Sequence, residues 1–184
     1  MCFDVPQLAR IINRSDALKR PCDCFATFVP YCISFIASPT KSDDPDLFFI
    51  EVSIPGAGID WQFSHLTQVL SQISTVTSNM VDFAIELGPR PITPKPEDVD
   101  DVEWLQLLSL FPSLRTLFVP AQFAGYVSHA LEDSPGMTAA GVLPALDMLC
   151  LEGQPVLSVD GFIAARRDSG LPVTVVNSRN EFKK

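Results

Sequence analysis

Hydrophobic residues recur along the chain in short alternating runs that predict β-strands, and each run is followed by residues with helical spacing. The clearest example is Leu143–Asn177, where Leu146, Leu149 and Leu151 have the L-x-x-L-x-L spacing of a leucine-rich-repeat strand. The residues up to Arg167 then have the pattern of a capped helix, and a run of valines restarts a strand. This stretch therefore predicts a strand, a helix and a second strand.

Earlier segments repeat the same unit less regularly. Strands are predicted at Leu47–Ile54, Met80–Leu87, Leu114–Val119 and Leu146–Leu151, and their first residues lie 33, 34 and 32 residues apart. A near-constant period with one strand and one helix per unit is typical of a solenoid. The sequence therefore predicts an α/β fold, a leucine-rich-repeat-like solenoid whose four strands are parallel neighbours in chain order. We expect one curved sheet with helices on one side.

The length of 184 residues and this period predict one domain over residues 1–184. We expect an irregular first repeat at 1–46 and further repeats near 47–79, 80–113, 114–145 and 146–184. Within the first repeat, Cys24–Ser38 is an uncharged run divided by Pro30. It is too short to span a bilayer, so it predicts two buried strands joined by a turn.

Composition narrows the classes of partner. The formal net charge is −9, whereas nucleic-acid binding needs clustered Lys and Arg, and an anionic membrane surface repels such a chain. We therefore expect no nucleic acid and no membrane as partner. The start of the chain lacks the order of a signal peptide, and its five cysteines form no C-x-x-C pair. Reduced, mostly buried cysteines in a cytoplasmic or nuclear protein are the expectation.

The sequence contains no strong motif for catalysis or metal binding. Ser64-His65 and Ser128-His129 are the only Ser-His pairs, and adjacent residues of a helix do not face each other, so neither forms a catalytic dyad by itself. The acidic stretches near Asp43 and Asp98 lack the spacing of a calcium-binding loop, and within the second stretch the pair Asp100 and Glu103 predicts the capped start of a helix. The pair Arg166-Arg167 near the end of a helix indicates a favourable interaction with the helix dipole. We predict no enzyme activity, no cofactor and no metal.

The residues that alternate with the predicted core are more informative. If Leu47, Ile50 and Val52 point into the core, their neighbours face the opposite side of the sheet, and the same holds for the later strands. Together these positions predict one acidic surface with a few large apolar groups, the kind that repeat proteins use to bind other proteins. The candidate binding residues are Phe49, Glu51, Asp82, Glu86, Phe118, Met148 and Glu152. A surface that is only solvated, or is covered by a neighbouring domain, is the alternative.

Several motifs are similar to one known family. They are Ile59-Asp60-Trp61-Gln62 with Ser64-His65, Asp100–Leu105, Leu131-Glu132-Asp133, Leu143–Leu146 with Leu149-Cys150-Leu151, Gly153-Gln154-Pro155, and Phe162–Arg167 through Pro172–Val176. They resemble the C-terminal leucine-rich-repeat-like region of fungal F-box proteins. The resemblance covers most of the chain and is densest after Ile59. It rests on scaffold motifs, so it identifies a region and no ligand.

The resemblance implies a function for this region. In that family an F-box precedes the repeats and binds the ubiquitin-ligase adaptor, while the repeats hold a substrate. We find no F-box pattern here, and we therefore expect a C-terminal fragment that would reach the adaptor only through an F-box absent from this chain. The expected partner is a protein of unknown identity that presents a basic segment to the acidic surface. A small α/β enzyme or ligand-binding domain, with its site at the carboxyl ends of the strands, is the alternative.

Overall fold

A computed structural model describes residues 5–14, 20–39, 50–55, 58–88, 100–132, 141–152 and 159–178. The strands in these ranges are β1 (Cys22–Val29), β2 (Cys32–Pro39), β3 (Ile50–Pro55), β4 (Met80–Leu87), β5 (Thr116–Val119), β6 (Met148–Glu152) and β7 (Thr174–Ser178). The helices are α1 (Val5–Arg14), α2 (Ile59–Gln72), α3 (Ser74–Asn79), α4 (Asp101–Leu108), α5 (Ala121–Glu132) and α6 (Asp160–Asp168). The fold is therefore α/β.

All of these strands belong to one sheet, in the order β3-β2-β1-β4-β5-β6-β7. Strands β1, β2 and β3 form an antiparallel meander at one end of the sheet. Strand β4 then pairs with β1 in parallel, and β5, β6 and β7 add in parallel and in chain order. The sheet is thus mostly parallel, with an antiparallel edge.

The meander begins with the hairpin that the run Cys24–Ser38 predicts. Strands β1 and β2 are joined at Pro30 and Tyr31, and they pair along their full length from Cys22 opposite Pro39 to Val29 opposite Cys32. Alternate residues of both strands are buried, because successive side chains of a strand point to opposite faces. The predicted pair of strands with a turn at Pro30 is confirmed.

The predicted order of the four repeated strands is right in its later part and wrong at its start. Strands β4, β5 and β6 are parallel neighbours in chain order, as the period of the sequence predicts. Strand β3 is not the neighbour of β4, because β2 and β1 lie between them. The predicted residues Leu47 and Phe49 lie outside the described residues. The structure does not show a leucine-rich-repeat solenoid; it shows the seven-stranded sheet described above.

The described helices form one layer on one face of the sheet. Phe63 of α2 and Phe123 of α5 both pack on Phe28 of β1, with ring centroids 6.0 and 5.4 Å apart. Trp104 of α4 contacts both of these helix residues, and the thiol of Cys22 on β1 lies 3.6 Å from the carbonyl oxygen of Val76 in α3. Helix α1 packs on α2 and α3, and α6 packs on α5. The hydrophobic core therefore lies between this layer and one sheet face.

Helix α4 begins at a side-chain cap that the sequence predicts. Asp100 has an extended backbone, and its carboxylate accepts a hydrogen bond from the backbone N–H of Glu103 at 2.8 Å. The helix that starts at this cap buries Trp104, Leu107 and Leu108. Asp100 thus links a local signal in the sequence to the aromatic centre of the core.

We expect Asp100→Ala to lower the free energy of unfolding by about 1 kcal/mol, the usual cost of removing an N-terminal cap. Urea denaturation monitored by circular dichroism measures this loss. Asp100→Asn is the matched control, because asparagine also caps helices and should retain most of the stability. Equal stability of the alanine variant and the wild type would show that the carboxylate does not hold the helix start.

Candidate functional site

The face of the sheet opposite the helices is the candidate site, and we call it the open face. Its middle is a row of mostly apolar residues that register partners place side by side from β2 to β7. These residues, the central row, are Ile36, Phe25, Ala84, Phe118, Cys150 and Val176. At its β3 end the central row continues to Glu51, the partner of Ile36.

The central row is only partly shielded from solvent. Phe25 is 39% exposed, and Ile36, Ala84, Phe118 and Val176 are half-buried, whereas Cys150 is buried. Parallel sheets are usually covered on both faces, because their strands are apolar on both sides. Here the described helices cover one face, and the central row lies on the other.

Rows of mostly polar residues flank the central row on both sides. The row nearer the amino ends of the parallel strands holds Ser38, Asp23, Asp82, Thr116, Met148 and Thr174. The row nearer their carboxyl ends holds Ser53, Ser34, Thr27, Glu86 and Glu152. The open face is formed by these three rows together with Glu51.

Hydroxyl groups support some of the carboxylates of the open face. Thr27 Oγ1 donates to Glu86 Oε2 at 3.3 Å, and Ser34 Oγ donates to Glu51 Oε1 at 3.2 Å. Both hydrogen bonds join neighbouring strands and hold a carboxylate over the sheet. Among the described residues of the open face there is no Lys, Arg or His. The surface is therefore acidic, and its negative charge attracts cationic groups.

Six of the seven predicted binding residues lie on the open face, and the seventh, Phe49, lies outside the described residues. Glu51, Glu86 and Glu152 are exposed, whereas Asp82, Phe118 and Met148 are half-buried. The predicted register, with Val52 toward the core and Glu51 away from it, is that of the structure, because Val52 packs against the core. The fold groups most of them on β4, β5 and β6 but sets Glu51 apart, since β2 and β1 intervene.

Sequence reasoning missed the contribution of β1 to this surface. Strand β1 lies beside β4, so Asp23 is the register partner of Asp82, and Phe25 is the partner of Ala84. The signal was present, because buried Cys22, Cys24, Ala26 and Phe28 alternate with these residues. The repeat period started at Leu47, however, and gave no reason to place β1 beside β4.

Cys150 is the one thiol in the central row, and its surroundings lower its reactivity as a nucleophile. Burial raises the pKa of the Cys150 thiol, and the nearby negative charge of Asp82 raises it further. Because the thiolate is the reactive form of cysteine, this thiol is a poor nucleophile at neutral pH. Cys150 therefore acts in the central row as a small apolar side chain.

The two Ser-His pairs do not form dyads. The hydroxyl of Ser128 donates to the carbonyl oxygen of Ala124 at 2.8 Å, and His129 Nδ1 lies 2.7 Å from Asp101 Oδ2. On α2, His65 stacks on Trp61 with ring centroids 3.6 Å apart and hydrogen-bonds the Trp61 carbonyl oxygen. Ser128 and the two histidines therefore have their partners outside their own Ser-His pairs.

The described part of the chain contains neither a candidate metal site nor a membrane-spanning helix. It contains no group of three His, Cys, Asp or Glu residues that could hold a metal ion. None of its helices is both long and apolar enough to cross a lipid bilayer. The enzyme alternative places its site after the carboxyl ends of the strands, where residues 89–99 and 153–158 lie outside the described residues.

Comparisons with known proteins identify no relative of this chain. No protein-family description, no curated protein and no solved structure matches the chain. The function therefore has to be argued from the open face.

Proposed function

We propose that this chain is a protein-interaction domain whose open face binds a basic segment of another protein. By its resemblance to the C-terminal leucine-rich-repeat-like region of fungal F-box proteins, we further propose that it recognises a substrate for a ubiquitin ligase. The observation that carries the first proposal is the apolar central row between two polar rows that contain carboxylates and, in the described residues, no cation.

The chemistry of the open face supports a protein partner over a small ligand. The central row runs across six strands, which at about 4.8 Å per strand spacing corresponds to roughly 24 Å. A partner segment of several residues can follow such a stripe. The apolar side chains of this segment would bury against Phe25 and Phe118, and this burial would set the lifetime of the complex. The carboxylates of the open face would raise the rate of encounter with a basic segment.

The order of the elements gives limited support to the repeat-like part of the proposal. From β4 to β7, each strand is followed by one helix and then by the next parallel strand. The described helices lie on one face, an arrangement that leaves the other face for binding. We propose that β4–β7 is the repeat-like unit and that the meander β1–β3 closes its edge.

The experiment compares three proteins as baits in affinity purification followed by mass spectrometry. One is the wild type, and the second carries Glu51→Gln, Asp82→Asn and Glu86→Gln on the open face. The third is the matched control with Asp60→Asn, Asp160→Asn and Asp168→Asn, which changes the net charge equally at exposed helix positions. Circular dichroism and thermal unfolding establish that all three are folded.

We expect at least one protein to be retained by the wild type and the control but lost from the open-face variant. With that protein purified, the open-face variant should bind about tenfold more weakly, since three charge pairs at about 0.5 kcal/mol each give roughly that factor. Its affinity should also depend less on salt concentration. Retention of every protein by the open-face variant would mean that this surface is only solvated.

A further inference from the structure

The last strand of the sheet, β7, has one edge that faces away from β6. Strand β7 (Thr174–Ser178) pairs with β6, and no strand of the described residues lies on its other side. Val173 and Val175 pack against the core but are only half-buried, whereas Leu149 of β6 and Leu117 of β5 are fully buried. Within the described part of the chain, this end of the core is therefore covered less completely than its middle.

The backbone of Val175 points out of this edge. The N–H of Thr174 donates to the carbonyl oxygen of Asp147 at 2.9 Å, so it points toward β6. Because the backbone groups of successive strand residues point to opposite sides, the N–H and the C=O of Val175 both point away from β6. A donor and an acceptor side by side at an edge form a template on which a further strand pairs.

The two edge strands of the sheet differ in charge. Strand β7 has the sequence Thr-Val-Val-Asn-Ser, which carries no charge, although the formal net charge of the whole chain is −9. The opposite edge strand, β3, contains the exposed Glu51 and ends at Pro55. Charged residues and proline are two of the means by which proteins protect an edge strand from pairing. Because β7 contains neither, a second strand can add to it without repulsion between like charges.

We propose that β7 pairs with β7 of a second copy of this chain. A contact between identical strands that closes after two copies has two-fold symmetry, and this symmetry makes the two strands antiparallel. With the axis beside Val175, the N–H of each Val175 donates to the carbonyl oxygen of the other. Thr174 of one copy then lies opposite Val176 of the other, and neither is charged. A basic segment of another protein would meet no carboxylate on β7, so the second copy is the better occupant.

This pairing joins the two sheets edge to edge. Residues that lie directly opposite each other in neighbouring strands share a face, so the open faces of both copies lie on the same side of the joined sheet. The half-buried Val173 and Val175 of the two copies come together on the core side, where burial of their apolar surface favours the dimer. The inference goes beyond the proposed function and does not depend on it.

Analytical ultracentrifugation of the full chain over a range of concentrations tests this pairing. We expect the apparent mass of the wild type to rise about twofold with concentration. Val175→Pro removes an N–H that points away from β6, and an edge strand tolerates proline at such a position. This variant should associate about thirtyfold more weakly, the factor for two backbone hydrogen bonds. Val175→Ala is the matched control, because it shortens the same side chain but keeps the N–H, and it should still form the dimer.

Amide hydrogen exchange followed by NMR tests the pairing in the wild type, and it decides if Val175→Pro does not fold. The Thr174 amide should be protected at every concentration by its bond to Asp147, whereas the Val175 amide should gain protection only as the dimer forms. A monomer at every concentration, or unchanged association of folded Val175→Pro, would overturn the inference. Protection of Val175 at every concentration would also overturn it, because a segment of the same chain would then cover the edge.

Discussion

Arg166→Ala is expected to lower the free energy of unfolding by about 3 kcal/mol, because Arg166 is a buried donor to several backbone carbonyls. The side chain is 1% exposed, and its guanidinium donates to the carbonyl oxygens of Leu143 and Leu146 at 2.9 and 2.8 Å. Its Nε donates to the Leu171 carbonyl at 3.1 Å. Removing the side chain leaves these carbonyls without their donor and opens a cavity beside Phe162.

The hydrogen bond to Leu143 has a further consequence for the chain before β6. Leu143 has a positive φ of 53°, which a leucine adopts at a cost unless its surroundings hold it there. Arg166 binds the carbonyl of this residue and of Leu146, so it fixes the turn that leads into β6. Loss of Arg166 should therefore loosen the start of β6 as well as α6.

Urea unfolding followed by circular dichroism measures the effect of Arg166→Ala. The matched control is Arg167→Ala, since Arg167 is the exposed neighbour in the same helix and should change stability by less than about 0.5 kcal/mol. Arg166→Lys retains a positive charge but lacks the planar fork, so most of the loss should remain. If Arg166→Ala were as stable as Arg167→Ala, the carbonyl contacts would contribute nothing to folding.

Leu149→Ala is expected to cost about 3 kcal/mol, within the range for truncating a well-packed core leucine. Leu149 is 0% exposed and lies in β6 between its register partners Leu117 of β5 and Val175 of β7. The L-x-x-L-x-L spacing predicts that Leu149 points into the core, and its burial confirms this. The cost arises because the removed methyl groups lose their contacts and the rigid sheet around them cannot close the cavity.

The neighbouring residue Met148 is the control for Leu149→Ala. Met148 points to the open face and is half-buried, so Met148→Ala removes a side chain from the same strand with less loss of buried area. We expect it to cost less than half as much, as measured by the same urea titration. A larger loss for Met148→Ala than for Leu149→Ala would mean that the assignment of the two faces of β6 is reversed.

The local hydrophobic pattern was sufficient to predict the strands and the face of the sheet on which their residues lie. The alternation in Met80–Leu87 and Leu146–Leu151 predicts which side chains enter the core, because a strand has a period of two residues. The same rule placed Asp82, Glu86 and Phe118 opposite the core, where the structure has them. Short-range signals such as the Asp100 cap and the turn at Pro30 were also sufficient, since they act between residues close in the chain.

Only the tertiary structure decided which strands are neighbours. The pattern of β3 is compatible with pairing to β4 or to β2, and the structure pairs it with β2 while β1 takes the place beside β4. The central row passes from Phe25 to Ala84 only because of this pairing, which joins residues distant in the chain. Likewise, Arg166 suggested a helix-dipole role from its position, but packing against Leu143 and Leu146 buried it. Periodicity determines the face of each residue, whereas strand order and buried polar contacts depend on which distant segments pack together.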